Sequence, residues 1–146
     1  MRHRVEVMHG VNFDVLGSRN ADHYGGLKLT ELEVKVKAFA RELEMEVSFS
    51  QTNHEGDYCE RLHRAGESAD ALVLNPGAWT HYSYAIRDAL EVAGLPAVEV
   101  HLSDVQARED WRKLSVVGDL CLATVSGKGP AGYRAALGRL REELGG

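Results

Sequence analysis

The sequence predicts a single α/β domain spanning residues 1–146, built as a doubly wound, five-stranded parallel sheet with helices on both faces. Three observations lead to this prediction. Strand-like and helical patterns alternate along the whole chain, the order typical of a parallel sheet. Residues 71–74 are apolar throughout, as expected of a strand buried on both faces. A chain of 146 residues with 44% hydrophobic content is large enough for one buried core and short for two domains.

The first part of the chain begins with a strand and a long loop. Residues 4–8 alternate apolar and polar side chains, which is the period of a strand. Residues 10–26 form a glycine-marked loop, and because so long a loop in a small domain is typically functional, we expect an active-site lid. Thr30 with Glu33 has the spacing of a capping box, so a first helix is expected from there to Leu43.

Strands and helices then alternate to the end of the chain. The remaining strands are expected at residues 47–51, 71–74, 97–102 and 120–125. The remaining helices are expected at residues 55–69, 83–93 and 130–144, with a short polar helix near Arg108. Pro130 suits the first turn of the last helix. Parallel strands joined in this way require right-handed crossovers.

Composition and charge exclude several classes of protein. The formal net charge of −5 argues against a nucleic-acid partner, which usually requires a basic surface. The longest stretch without charged residues, 71–86, contains polar residues and a proline, so no membrane span is expected. The residues behind Arg2 and Arg4 form no signal-peptide hydrophobic region, so we expect no export. Cys59 and Cys121 are expected to be free thiols, and the chain is expected to be cytoplasmic.

The familiar cofactor motifs are missing or incomplete. Residues 127–132 match G-x-G-x-x-G, but the fourteen residues that follow leave no room for the second strand and ribose-binding acid of a dinucleotide site. The histidines lack a zinc-binding spacing, so no metal is expected. The lysines lie in polar contexts that disfavour Schiff-base chemistry, and residues 10–17 lack a Walker lysine. We therefore expect no cofactor.

Polar side chains gather after the predicted strands, whose carboxyl ends meet at one edge of the sheet. In chain order they are Asn12, Arg19, Tyr24, Asn53, His54, Glu55, Asn75, Gly77, His81, Glu99, His101, Ser103, Arg108 and Arg112. Several arginines beside histidines, in a net-acidic chain, predict a local site for a small anionic ligand. Any one of these arginines, taken alone, is more often part of the ordinary solvated surface.

Tyr24 and His101 are the candidates for proton transfer. A phenol is a poor base at neutral pH unless cations stabilise its phenolate, and Arg19 and Arg108 are the candidates for that. Glu99 and His101 alternate onto the same side of a strand end, where a carboxylate would fix the tautomer of a general acid. The alternatives are an ordinary Tyr-Gly-Gly turn and a structural histidine.

His81 is expected at the start of a helix that Thr80 caps, with backbone donors facing an oxygen-rich ligand. Asp88 lies two turns further along and would face the same way as His81. A residue of this kind is more often a solvated carboxylate than part of a site. We therefore expect His81 and Asp88 on one face of the same helix.

Taken together, these residues resemble the type II 3-dehydroquinate dehydratases along nearly the whole chain. The matching segments agree in order, spacing and identity. They are His9-Gly10-Val11-Asn12-Phe13-Asp14-Val15-Leu16-Gly17, Arg19, Tyr24-Gly25, Gln51-Thr52-Asn53-His54-Glu55-Gly56, Asn75-Pro76-Gly77-Ala78-Trp79-Thr80-His81, Arg87-Asp88-Ala89-Leu90, Val98-Glu99-Val100-His101-Leu102-Ser103, Ala107-Arg108-Glu109 and Arg112.

The resemblance implies a flavodoxin-like fold, no metal or organic cofactor, and a dodecamer built as four trimers. It implies dehydration of 3-dehydroquinate to 3-dehydroshikimate, in the shikimate or quinate pathway, through an enolate. Tyr24 would be the base, assisted by Arg19 and Arg108, and His101 the acid, oriented by Glu99. The remaining implied roles are an ordered water held by Asn12, the substrate carboxylate bound by Asn75, Leu102 and Ser103, ring hydroxyls bound by His81 and Arg112, and a neighbouring subunit's site reached by Asp88.

The sequence also departs from the family pattern. The family usually has Asn-Gly-Pro-Asn-Leu-Asn-Leu-Leu-Gly in the first loop, whereas this chain differs at His9, Val11, Phe13, Asp14 and Val15. Asn20-Ala21 stands where the family has Glu-Pro, and Asp104 and Gln106 replace Asn and His. These changes leave two alternatives open: a paralogue that dehydrates a modified substrate such as aminodehydroquinate, and a non-catalytic ligand sensor.

Overall fold

The computed structural model describes residues 2–145 and contains a five-stranded, all-parallel sheet with the order β2-β1-β3-β4-β5. The strands are β1 Arg4–His9, β2 Glu46–Gln51, β3 Ala71–Asn75, β4 Ala97–His101 and β5 Ala123–Ser126. The α-helices are α1 Ala21–Tyr24, α2 Leu29–Glu42, α3 Glu55–Arg64, α4 Tyr84–Ala93 and α5 Ala131–Leu144. This topology confirms the predicted doubly wound fold, and the strand order is that of flavodoxin-like proteins.

The sheet is covered on both faces, because alternate strand residues enter two separate cores. Helices α2 and α5 pack on one face, where Val7, Val73 and Leu137 belong to one core. Helices α3 and α4 pack on the other face, where Leu72 and Leu74 belong to a second core. β3 lies at the centre of the sheet and is buried along its whole length, which explains its continuous apolar sequence.

The chain reverses direction across the sheet between β1 and β3, which leaves a crevice at their carboxyl ends. Two glycines let the loops after these strands approach each other. A Cβ at Gly10 would lie 2.2 Å from the Pro76 carbonyl oxygen, and a Cβ at Gly77 would lie 2.9 Å from that of Val11. Gly77 also has a φ of +67°, a conformation that favours glycine. Larger residues here would push the two strand ends apart.

Three predicted boundaries are wrong by two residues or more. The N-cap of helix α2 is Lys28, two residues before Thr30, and the first turn is closed by the Glu31 carboxylate, which accepts from the Lys28 N–H at 3.0 Å. The second predicted helix ends at Arg64, after which residues Ala65–Glu67 tighten into a 3-10 turn. β5 begins at Ala123, because Gly118–Leu120 forms another 3-10 turn.

No helix within residues 2–145 is both long and apolar enough to cross a membrane.

Candidate active site

A small pocket, with a cavity volume of about 30 Å³, lies at the carboxyl edge of the sheet. The sequence-predicted residues that line it are Arg19, Tyr24, Asn75, Gly77, His81, His101, Leu102, Ser103, Arg108 and Arg112. Phe13, Ala78 and Val105 complete the lining. Among these residues, all within 2–145, three are arginines and none is Asp or Glu. The wall of the pocket is therefore cationic and suited to an anionic ligand.

Tyr24 lies between two guanidinium groups. Arg108 Nη1 donates to the Tyr24 hydroxyl at 2.7 Å and to Ser103 Oγ at 3.2 Å. The Arg19 Cζ lies 4.2 Å from the centroid of the Tyr24 ring, on its face. Tyr24 is 9% exposed, and the Arg108 side chain is 8% exposed. The arginines therefore act on the phenol in a largely water-free setting, where charge interactions are strongest.

The segment that carries Tyr24 is ordered by its own capping. The predicted loop over residues 10–26 contains the 3-10 helix Phe13–Ser18 and the single turn α1. Asn20 is the N-cap of α1, because its side-chain oxygen accepts from the Asp22 N–H at 2.8 Å. Asn20 therefore fixes the turn that ends at Tyr24.

Glu99 and His101 form the buried pair that the strand alternation predicted. The His101 Nε2 lies 2.6 Å from Glu99 Oε2, and Glu99 has no exposed surface. This contact leaves His101 Nδ1 as the ring nitrogen available to a ligand. Both residues project from β4 to the side of the sheet opposite Val98 and Val100.

Glu99 is stabilised as a carboxylate by several donors. Ser115 Oγ donates to it at 2.8 Å, Thr124 Oγ1 donates at 3.1 Å, and Thr80 Oγ1 makes a short hydrogen bond. Burial alone would raise the pKa of Glu99, but hydrogen bonds from His101, Thr80 and Ser115 outweigh it and hold the pKa below its usual value. Sequence reasoning missed Ser115 and Thr124, because nothing in their local patterns links them to β4.

His81 presents a hydrogen-bond acceptor to the pocket. Its Nδ1 lies 2.7 Å from the Leu114 carbonyl oxygen, so Nδ1 carries the proton and Nε2 accepts. Burial lowers the pKa of His81, which favours this neutral form. The edge of Trp111 packs against the ring at 5.2 Å between centroids, and Arg112 stacks on Trp111 at 4.1 Å. The rim near Arg112 is thus built on an aromatic side chain that sequence reasoning did not identify.

Asn75 connects the pocket to a buried polar chain. The Asn75 Nδ2 lies 2.9 Å from the Tyr133 hydroxyl, which in turn lies 3.0 Å from His9 Nε2. All three side chains are buried, with exposures of 2%, 0% and 0% respectively. Burial lowers the pKa of His9 to about 3. No local pattern marked Tyr133, which lies on α5 near the end of the chain.

Six predicted residues lie outside the lining of this pocket: Glu99, which bonds to His101, the residues Asn53, His54 and Glu55 after β2, and Asn12 and Asp88. Asn12 is exposed, and its backbone N–H donates to Asn53 Oδ1 at 2.8 Å. Asp88 is exposed on α4. The predicted phase between His81 and Asp88 is wrong, since His81 ends a separate 3-10 turn, Gly77–His81, before α4 begins.

The predicted cap of this helix is also wrong. Ser83 Oγ, which accepts from the Ile86 N–H at 3.1 Å, caps α4. Thr80 instead bonds to Glu99. The tight turn before α4 displaced the cap by three residues, and it placed the threonine hydroxyl over the carboxylate of β4.

Residues 2–145 contain no group of three or more His, Cys, Asp or Glu side chains placed to hold a metal ion. The cysteines Cys59 and Cys121 are free thiols in the structure.

Comparisons with known proteins place the chain among relatives of one kind. The family model "Dehydroquinase class II" matches residues 3–141. The 3-dehydroquinate dehydratase of Pelotomaculum thermopropionicum is 46% identical over 134 residues, which cover 92% of this chain and 93% of that protein. The enzyme of that name from Caldicellulosiruptor saccharolyticus is 42% identical and is covered over 99% of its length, with 97% of this chain aligned. The crystal structure of type II dehydroquinase from Butyrivibrio crossotus superposes with a TM-score of 0.91 at 37% identity, covering 96% of this chain and 98% of that one.

Proposed function

Because the chain belongs to the class II dehydroquinase family, and is therefore a hydro-lyase of the 3-dehydroquinate dehydratase type, we propose that Tyr24 and His101 carry out the elimination in this pocket. The substrate is 3-dehydroquinate, a small anionic cyclic polyol, and the product is 3-dehydroshikimate. The observation that carries the proposal is the Tyr24 hydroxyl held at 2.7 Å by Arg108, in the pocket that His101 also lines.

Tyr24 acts as the base that removes the proton next to the ketone. Its phenolate is stabilised by the hydrogen bond from Arg108 and by the Arg19 guanidinium on its ring. Loss of the proton gives an enolate. Asn12 holds an ordered water against the enolate oxygen, a role that requires its loop to turn towards the ligand.

His101 acts as the acid that protonates the departing hydroxyl. Ionised Glu99, 2.6 Å from Nε2, stabilises the protonated ring and orients Nδ1–H towards the substrate. The C–H and C–O bonds break, water leaves, and a carbon–carbon double bond forms beside the ketone. Tyr24 ends with the extra proton and His101 lacks one, so a proton returned through solvent resets the pair.

The remaining polar residues bind the substrate. Asn75 binds the carboxylate together with the chain at Leu102 and Ser103, and Gly77 lets the backbone approach closely. His81, with its free Nε2 acceptor, and Arg112 bind ring hydroxyls. Asp88, exposed on α4, contributes to a neighbouring subunit's site in a homododecamer of four trimers. The enzyme acts in the cytoplasm, in the shikimate or quinate pathway.

The two alternatives make different predictions. An aminodehydroquinate paralogue needs a partner for an ammonium group, yet the pocket lining within residues 2–145 has no carboxylate. Asp14 and Asn20 are engaged elsewhere, since Asp14 accepts from Asn53 at 3.0 Å and Asn20 caps α1. No observation therefore favours the modified substrate. A sensor would bind 3-dehydroquinate without converting it.

The test is an absorbance assay for the enone product with purified protein. We expect turnover by the wild type and a fall in kcat of about a hundredfold to ten-thousandfold for Tyr24→Phe, the range of general base catalysis. Tyr84→Phe is the matched control, since Tyr84 is 66% exposed and lies outside the pocket, and it should keep the wild-type rate. Binding without enone formation by the wild type, or full activity in Tyr24→Phe, would overturn the proposal.

A further inference from the structure

The strongest remaining feature is the buried chain His9–Tyr133–Asn75, of which only Asn75 has a role above. His9 and Asn75 are register partners at the ends of the adjacent strands β1 and β3. Both side chains therefore project to the same face of the sheet, where Tyr133 of α5 lies between them. Of the three, only Asn75 lines the pocket. The chain thus joins a buried histidine to one ligand-binding amide.

Burial fixes the protonation of the two titratable groups of this chain, His9 and Tyr133. Because burial lowers the pKa of His9 to about 3, the imidazole is neutral near pH 7 and carries one N–H. Because burial raises the pKa of Tyr133 well above that of an ordinary phenol, its hydroxyl keeps its proton. His9 and Tyr133 therefore have one proton each to donate, and the direction of one hydrogen bond sets the direction of the next.

The hydrogen bonds have two self-consistent directions. With Asn75 Nδ2 donating to Tyr133, as in the structure, the hydroxyl donates to His9 Nε2 and the histidine proton sits on Nδ1. That Nδ1 is buried and finds no partner among residues 2–145. An N–H donor left without an acceptor is among the costlier defects in a protein interior. In this direction Tyr133 takes up the Asn75 NH₂ group and leaves the pocket the amide oxygen, which cannot donate to an anionic ligand.

A half-turn of the Asn75 amide reverses the chain without changing the shape of any side chain. His9 Nε2–H then donates to Tyr133, Tyr133 donates to Asn75 Oδ1, and the orphaned Nδ1 is only a lone pair beside Phe13, whose ring stacks on His9 at 4.8 Å. The Asn75 NH₂ group now faces the pocket. It can donate to an anionic ligand together with the surrounding arginines.

We propose that His9 is a positioning residue for the substrate carboxylate: through Tyr133 it holds the Asn75 amide with its NH₂ group towards the pocket. The inference rests on the proposed function only for the identity of the ligand. It assigns a role in substrate affinity to two residues that do not touch the substrate.

The first test reads the histidine tautomer directly. Solid-state NMR of protein labelled with ¹⁵N in its histidine rings distinguishes a protonated from an unprotonated ring nitrogen, and the His9 signals are those missing from His9→Phe. We expect Nε2 protonated and Nδ1 unprotonated. A proton on Nδ1 would overturn the proposed direction. Should His9→Phe fail to fold, the His9 signals are identified in Tyr133→Phe as those that shift.

The second test separates affinity from turnover. His9→Phe and Tyr133→Phe should each raise KM for 3-dehydroquinate about tenfold or more, the effect of losing one hydrogen bond to a charged group, and change kcat less than about threefold. Tyr58→Phe is the matched control, because the Tyr58 hydroxyl is equally buried and donates to the Met8 carbonyl at 3.0 Å on the other face of the sheet. It should leave KM unchanged.

The outcomes keep the two proposals apart. An unchanged KM in both chain variants, or an equal rise in Tyr58→Phe, would overturn the positioning role even if the enzyme is active. A wild type that forms no enone would overturn the proposed function, while the NMR measurement would still decide the direction of the chain.

Discussion

His9 should make folding stability depend on pH in a way that a single variant can isolate. The pKa of His9 is lowered to about 3 by burial, whereas an unfolded histidine titrates near 6.5. Above pH 6.5 both states are neutral at this site, and His9 contributes no pH dependence. As the pH falls below that value, the unfolded chain binds a proton that the folded protein cannot accept, so stability decreases.

The magnitude follows from one proton. The loss is about 1.4 kcal/mol per pH unit, and therefore about 2.7 kcal/mol between neutral pH and pH 4.5. It should continue until the pH approaches the folded value near 3. The chosen variant is His9→Asn, because asparagine is polar and does not titrate. All other groups cancel when the two proteins are compared at each pH.

The assay is urea denaturation at several pH values between 7.5 and 4.5, at one fixed protein concentration so that any assembly contributes equally. As the pH falls, the unfolding free energy of the wild type should decrease by about 2.7 kcal/mol relative to that of His9→Asn. Tyr58→Phe is the control, since burial raises the pKa of Tyr58 and the phenol is neutral in both states over this range, so its difference from the wild type should not change with pH. Parallel curves for wild type and His9→Asn would refute the reasoning.

Three further predictions concern the site and its framework. Glu99→Gln should lower kcat for enone formation about a hundredfold, because the pKa of Glu99 lies below its usual value and the residue is a carboxylate at neutral pH. Exposed Glu67→Gln should keep the wild-type rate, and equal rates in the two variants would contradict this role. Gly10→Ala should reduce the unfolding free energy measured in urea by about 1–3 kcal/mol or more, because the new Cβ would meet the Pro76 carbonyl oxygen at 2.2 Å. Gly56→Ala in helix α3 has free space around the new Cβ and should be neutral or stabilising. Asn20→Ala should speed proteolytic cleavage within residues 10–26, because it removes the cap of α1, which is worth about 1 kcal/mol. Asn20→Ser can still cap the turn and should resist cleavage like the wild type.

Periodicity predicted those parts of the molecule that depend on local pattern. The buried run that became β3, and the shared side of Glu99 and His101, follow directly from the alternation of side chains along strands. The grouping of arginines near Tyr24 followed from the rule that parallel strands end at one edge.

What the sequence could not predict depends on tertiary contacts. Ser115 and Tyr133 reach the site from segments far along the chain, and no local pattern marks them. The displaced cap before α4 has a similar cause, since the buried carboxylate of Glu99 competes for the Thr80 hydroxyl. A phase argument from His81 to Asp88 failed because it assumed one continuous helix.

The two sides of the pocket differ in redundancy. Glu99 is held by hydroxyl groups from three separate pieces of chain as well as by His101, so the loss of one hydroxyl leaves the others in place. Within residues 2–145 the Tyr24 hydroxyl accepts one hydrogen bond, from Arg108, while Arg19 contacts only the ring. Substitutions can therefore remove the donors to Glu99 one at a time, whereas the loss of Arg108 alone leaves the Tyr24 hydroxyl without its donor.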